Sequence, residues 1–128
     1  MEINMLTEKI IGCAIKVHRN LGPGFLESVY QAALAYELRK AEIPFEREKP
    51  LPVPYEDIVL DVGFRCDFLV DKRVIIECKC VQELSAIDDA KLLNYLKITK
   101  LQVGLLMNFH VLLLKRGIRR IVNDFRGE

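Results

Sequence analysis

The sequence predicts an α/β or α+β fold in which helices sandwich a central mixed β-sheet, and three observations carry that expectation. Two stretches with apolar residues at three- and four-residue intervals open the chain, a capped helical stretch falls between strand-like runs, and those runs are apolar enough on both faces to be buried. With 128 residues, 51% of them hydrophobic, the chain has room for one core and not for two comfortable ones, so a single domain over residues 1–128 is expected.

Leu6, Ile10, Cys13, Ala14, Val17 and Leu21 mark a first amphipathic helix that ends before Gly22-Pro23-Gly24. A second helix carries Leu26, Val29, Tyr30, Ala33, Leu34 and Leu38 and stops near Pro44. Gly24 can serve as its N-cap and Glu27 as the acid three residues on, with Tyr30 as ordinary core, and spacing does not decide between that reading and one in which Glu27 is a ligand. Pro50, Pro52 and Pro54 cannot donate ladder hydrogen bonds, so Phe45 to Tyr55 reads as an edge strand or extended segment. Ser85-Ala-Ile-Asp88 has the form of a capping box opening a third helix to about Thr99, with Ile87, Ala90, Leu93 and Leu96 as its expected buried stripe. Leu101 to Phe109 reads as a buried strand, and Val111–Leu114 with Ile118–Val122 as a terminal hairpin.

The densest chemistry lies in Arg65–Cys80. Apolar residues fill Phe68–Val70 and Val74–Ile76 around the polar Asp71-Lys72-Arg73, which makes a hairpin. If those three residues form the loop, Val70 faces Val74, Asp67 stands opposite Glu77, and Lys79 lies two residues further along the same face. A two-residue loop would instead set Asp67 against Ile76 and send the acids to opposite sides. Two carboxylates about 5 Å apart repel by roughly 3 kcal/mol at an effective dielectric of about 20, and a divalent cation would offset that. An oxygen-lined site suits Mg²⁺ or Mn²⁺ better than Zn²⁺. The plainer reading is a solvent-facing strand end, against which stands the two-faced apolar run Val74–Ile76.

Cys13, Cys66, Cys78 and Cys80 lack the C-x-x-C spacing of zinc ribbons, so buried thiols are expected; a Cys66–Cys78–Cys80 metal site is the alternative and lacks an evident fourth ligand. Nineteen basic and eighteen acidic residues give a charge of +1, so binding to nucleic acid must come from local patches. Two such patches are readable, Lys91, Lys97 and Lys100 with Tyr95 on the third helix, and Lys115-Arg116 with Arg119-Arg120. His18 and His110 share no ligand spacing, and neither a hydrolase triad nor a Gly-rich phosphate loop is present. No signal segment or membrane-length apolar run is seen, which makes a cytoplasmic location the default expectation.

Taken together, Leu21-Gly-Pro-Gly24, Gly24-x-x-Glu27-x-x-Tyr30 and the Asp67 to Glu77-Cys-Lys79 spacing resemble the GxxExxY family, which is grouped with the PD-(D/E)XK nucleases. The resemblance runs from about Leu6 to Val122 and includes Leu92-Leu-Asn-Tyr-Leu96 and Gly117-Ile-Arg-Arg120. It implies a restriction-endonuclease-like core with Asp67, Glu77 and Lys79 as catalytic residues, Glu27, Asp67 and Glu77 as ligands to Mg²⁺ or Mn²⁺, and Tyr95 and Lys91 as nucleic-acid contacts. Lys91 stands where related nucleases carry glutamine, and Cys66 where proline is common. The implied partner is nucleic acid, DNA before RNA, with no membrane and with a homodimer allowed. A scaffold that has lost catalysis and binds nucleic acid or protein is the alternative.

Overall fold

A computed structural model describes residues 1–62 and 64–124. Helices α1 (Ile3–Leu21) and α2 (Glu27–Lys40) come first, followed by strands β1 (Phe45–Pro50), β2 (Val53–Tyr55), β3 (Ile58–Leu60), β4 (Arg65–Val70) and β5 (Val74–Lys79). Helix α3 (Ala86–Thr99) then leads to β6 (Val103–Asn108) and, after a 3-10 turn at Leu114–Gly117, to β7 (Ile118–Val122). The main sheet has five strands in the order β1-β4-β5-β6-β7, and β2 and β3 form a separate hairpin. Only β5 and β6 run parallel, joined by the α3 crossover that a parallel pair requires. The fold is therefore the mixed α/β sheet flanked by helices that the sequence predicts.

Two apolar clusters lie on the two faces of this sheet. Ile10, Ala14 and Val17 of α1 and Tyr30, Leu34 and Leu38 of α2 pack with Phe68, Val70, Ile76 and Met107. Leu92, Tyr95 and Leu96 of α3 pack with Ile75 and Leu106 on the other. Covered on both sides, β5 is buried from Val74 to Cys78, which accounts for its near-continuous apolar sequence.

Several local expectations are corrected. The buried face of α3 is Leu92, Tyr95 and Leu96, while Ile87 is exposed, because the crossover turns the helix about its axis from the face the periodicity suggested. The Ser85–Asp88 capping box is present as expected. The N-cap of α2 is Leu26, without a side-chain bond, and Gly24 stands outside the helix at φ +110°. Val111–Leu114 is loop and 3-10 turn, so β7 pairs with β6 instead of forming a terminal hairpin. Cys66 and Cys78 belong to different clusters and all four cysteines are free, which removes the shared thiol face. Arg119 bonds Asp89 and Arg120 bonds Thr7 and Asn4, so two of the four cations expected as a patch hold β7 to the helices.

Gly117 ends the 3-10 turn where any Cβ would collide with the Asn108 carbonyl oxygen. Gly117→Ala is expected to cost about 2 kcal/mol of stability, read from the urea midpoint at unchanged m-value, because the obstacle is backbone and cannot rotate away.

Candidate active site

The turn between β4 and β5 spans Asp71, Lys72 and Arg73, with Asp71 and Lys72 in the left-handed region at φ 53° and 56°. It pairs Val70 with Val74, Leu69 with Ile75 and Phe68 with Ile76, the register that sets Asp67 against Glu77. At that point the ladder stops. The Asp67 N–H donates to Glu77 Oε2 at 2.7 Å and the Cys78 N–H donates to Asp67 Oδ2 at 2.8 Å, so each acid accepts a main-chain donor of the opposite strand. On the other side of β4, pairing with β1 also lapses, between Arg47↔Phe68 and Lys49↔Cys66, where Glu48 adopts φ 50°. The strand rolls there, and Cys66 and Phe68 are buried in opposite clusters although they are two residues apart.

The resulting pair is short of positive charge. Glu77 is 6% exposed, and burial, followed by the charge of Asp67, pushes its carboxyl up to about 8. Burial also raises Asp67, while the Cys78 N–H, Lys79 and Lys91 act in the other direction. Glu27, the first residue of α2, is raised by burial and by Asp67 and lowered by Lys79, a backbone hydrogen bond from Cys80 and Lys91. It thus shares an electrostatic neighbourhood with the hairpin acids. Among the described residues, no group of three Asp, Glu, His or Cys side chains is close enough together to hold a metal ion as they stand.

Lys79 extends from the end of β5 toward the start of α3, its Nζ 3.9 Å from Asp88 Oδ1. Lys91 is exposed on α3. Tyr95 is only 2% exposed, with Phe64 over its ring at 4.3 Å between centroids, and its phenol is raised by burial and then by the charges of Glu77 and Asp67. As placed, the Tyr95 hydroxyl lies toward the two acids. Lys97 and Lys100 sit at the other end of α3, beside Gln102 before β6 begins, away from Lys79.

Four contributions escaped the sequence reading. Asn108, 2% exposed, donates from Nδ2 to Val81 O at 2.8 Å and accepts the Val81 N–H on Oδ1 at 3.1 Å, which pins the chain just beyond Lys79. Its signal was available as the one amide within the apolar run Val103–Phe109. Asp88 was read only as a cap, and Glu48 gave no signal. Tyr30, fully buried and stacked on Phe109 at 4.6 Å, accepts the Phe25 N–H at 3.2 Å and donates to Gly22 O at 2.5 Å. It therefore ties down the loop that delivers Glu27.

A family model described as the PD-(D/E)XK nuclease superfamily matches residues 4–121. The fold is consistent with that class of protein, and the chain is a member of the PD-(D/E)XK nuclease superfamily. No curated protein and no solved structure matches it. Membership gives a nuclease-like function in outline. No helix among the described residues is long and apolar enough to cross a membrane.

Two outcomes follow. A carboxyl whose folded pKa is raised from 4.5 to about 8 holds its proton more tightly in the native state, so the ionised form destabilises the fold. In EDTA, stability to urea should fall as pH rises from about 5 to 8, by at most about 1.4 kcal/mol per unit, and Glu77→Gln should flatten most of that slope; an unaltered slope would place the titrating group elsewhere. Tyr30→Phe keeps the stacking but removes the hydroxyl that bridges the Phe25 N–H and the Gly22 carbonyl, both partly open to solvent, and should lower stability by about 1 kcal/mol in the same assay.

Proposed function

We propose that this chain is a divalent-metal-dependent nuclease that hydrolyses phosphodiester bonds, with Asp67, Glu77 and Lys79 as its catalytic residues. One observation carries the reading: the reciprocal bonds between Asp67 and Glu77 hold two partly buried carboxylates together, with Lys79 further along the same strand. Each backbone bond engages one oxygen of its acid, and the remaining oxygens form a hard, all-oxygen donor set. Mg²⁺ is commonly held by one or two carboxylates with water and substrate phosphates completing its shell, so the pair fits Mg²⁺ or Mn²⁺ without a third protein ligand. When bound, such an ion supplies charge relief at the phosphoryl group and a more acidic water.

The residues divide the remaining work. Asp67 and Glu77 bind and orient, and Glu27 adds negative charge at the rim of the same site. Lys79, held only loosely by Asp88, can swing to orient the attacking water or to neutralise the developing charge. Lys91 meets a phosphate from the exposed face of α3. Tyr95, whose hydroxyl bonds Glu77, adds a contact to the nucleic-acid backbone where it passes the acids. DNA is the first substrate to try. A second reading, a scaffold that binds without cleaving, is favoured by the fact that main-chain N–H groups already engage both acids, so the site can fold without a cation.

Purified protein should cleave at least one of single-stranded, duplex or branched DNA or RNA in Mg²⁺ or Mn²⁺ and be silent in EDTA. Asp67→Asn and Lys79→Ala should each lower the rate about 100-fold or more, and Asp67→Asn should abolish Mn²⁺ binding by calorimetry. Cleavage that survives Lys79→Ala, or none on any substrate, would sink the nuclease reading.

A further inference from the structure

The loop that follows β6 leaves the sheet at the end where the site lies, because the Phe109 N–H donates to Lys79 O at 2.9 Å. A bond of 2.8 Å between His18 Nε2 and Val111 O fastens this loop to the last turn of α1. Between loop and helix lies a groove of about 490 Å³ whose walls include Ile15, Arg19, Leu112, Leu113 and Lys115. Leu112 and Leu113 are 91% and 55% exposed, and on the adjoining loop before Glu27, Phe25 and Leu26 are 49% and 75% exposed. The two loops meet through Gly22, which lines the groove and accepts the Tyr30 hydroxyl.

Charge decides what such a surface can take. Arg19 and Lys115 line the groove, Arg116 follows, and no carboxylate is among its described lining residues. A second exposed apolar set, Tyr55, Ile58 and Val59 on the β2–β3 hairpin, carries Glu56, Asp57 and Asp61 and would repel a polyanion. Cations beside apolar side chains match a chain that alternates phosphates with uncovered base faces. A duplex hides those faces in its stack and would use the cations alone. Apart from the His18 ring, whose Nε2 is occupied, the polar side chains among its described lining residues are Arg19 and Lys115, which only donate, so a ribose 2′-hydroxyl pressed against the leucines would meet no acceptor for its proton there.

We propose that this groove is a docking surface for single-stranded DNA that leads the strand to the Asp67–Glu77 pair. Its role in delivery rests on the nuclease reading, whereas the binding does not. The test is fluorescence anisotropy of the whole protein in EDTA with a labelled DNA of about 12 nucleotides, its duplex, and RNA of the same sequence. Single-stranded DNA should bind tightest. Leu112→Ser/Leu113→Ser, at exposed positions and with folding verified by thermal melting, should weaken that binding about tenfold and leave duplex binding unchanged. Arg19→Ala/Lys115→Ala should weaken both, with the single-strand salt slope reduced by about 0.7 per cation.

Equal binding of duplex or RNA, no binding at all, or a leucine variant that binds as the parent does would each overturn the proposal. A leucine variant that changes only the sedimentation coefficient would do so too, by showing that the face joins two copies of the chain. Cleavage of duplex and single strands alike, indifferent to the leucine change, overturns the docking surface and spares the nuclease. Selective binding without cleavage does the reverse.

Discussion

The structure turns on a gap between two strands. Beyond Phe68 and Ile76 the β4–β5 ladder stops, and buried main-chain donors that lose their partners must find others. Asp67 and Glu77 supply them, each reaching across to an N–H of the opposite strand. The acids thus act as the end of the sheet as well as the start of a chemical site. Those N–H groups, Lys79 and Lys91 favour the charged forms but do not outweigh burial and the charge of Asp67, so the repulsion is relieved by Glu77 holding its proton.

What the sequence made legible was the pattern set by local chemistry. The polar triplet Asp71-Lys72-Arg73 marks the turn and thereby the register, and Ser85 with Asp88 marks the start of α3. What stayed hidden depends on contacts distant in sequence. Nothing near residue 95 says that the crossover presents Leu92, Tyr95 and Leu96 to the sheet in place of Ile87 and Leu93, since both sets satisfy a helical period. The roll at Asp67 lies opposite the positive φ of Glu48 on a neighbouring strand, so strand parity could not show that Cys66 and Cys78 would part. Arg119 and Arg120 looked like a nucleic-acid patch because their partners, Asp89 on one side and Asn4 and Thr7 on the other, lie elsewhere in the chain.

A net charge of +1 conceals an uneven distribution. Acids gather inside, at Asp67, Glu77 and Glu27, and outside on the β2–β3 hairpin, whereas Arg19, Lys115 and Arg116 stand around the end of α1. The overall balance argued against a strong field around the molecule and was silent about this separation, which matters more to a polyanion than the sum does.

The parallel pairing of β5 with β6 has a kinetic meaning as well. The β4–β5 hairpin closes over its own short turn, but β6 reaches β5 only after the whole of α3 has been laid down and folded back. Until that docking occurs, Glu77 lies on a half-covered ribbon in contact with water and ionised like any surface acid. The raised proton affinity of Glu77 therefore requires β6 and α3 in place, and a nascent chain that stops within α3 carries both carboxylates without yet having a site.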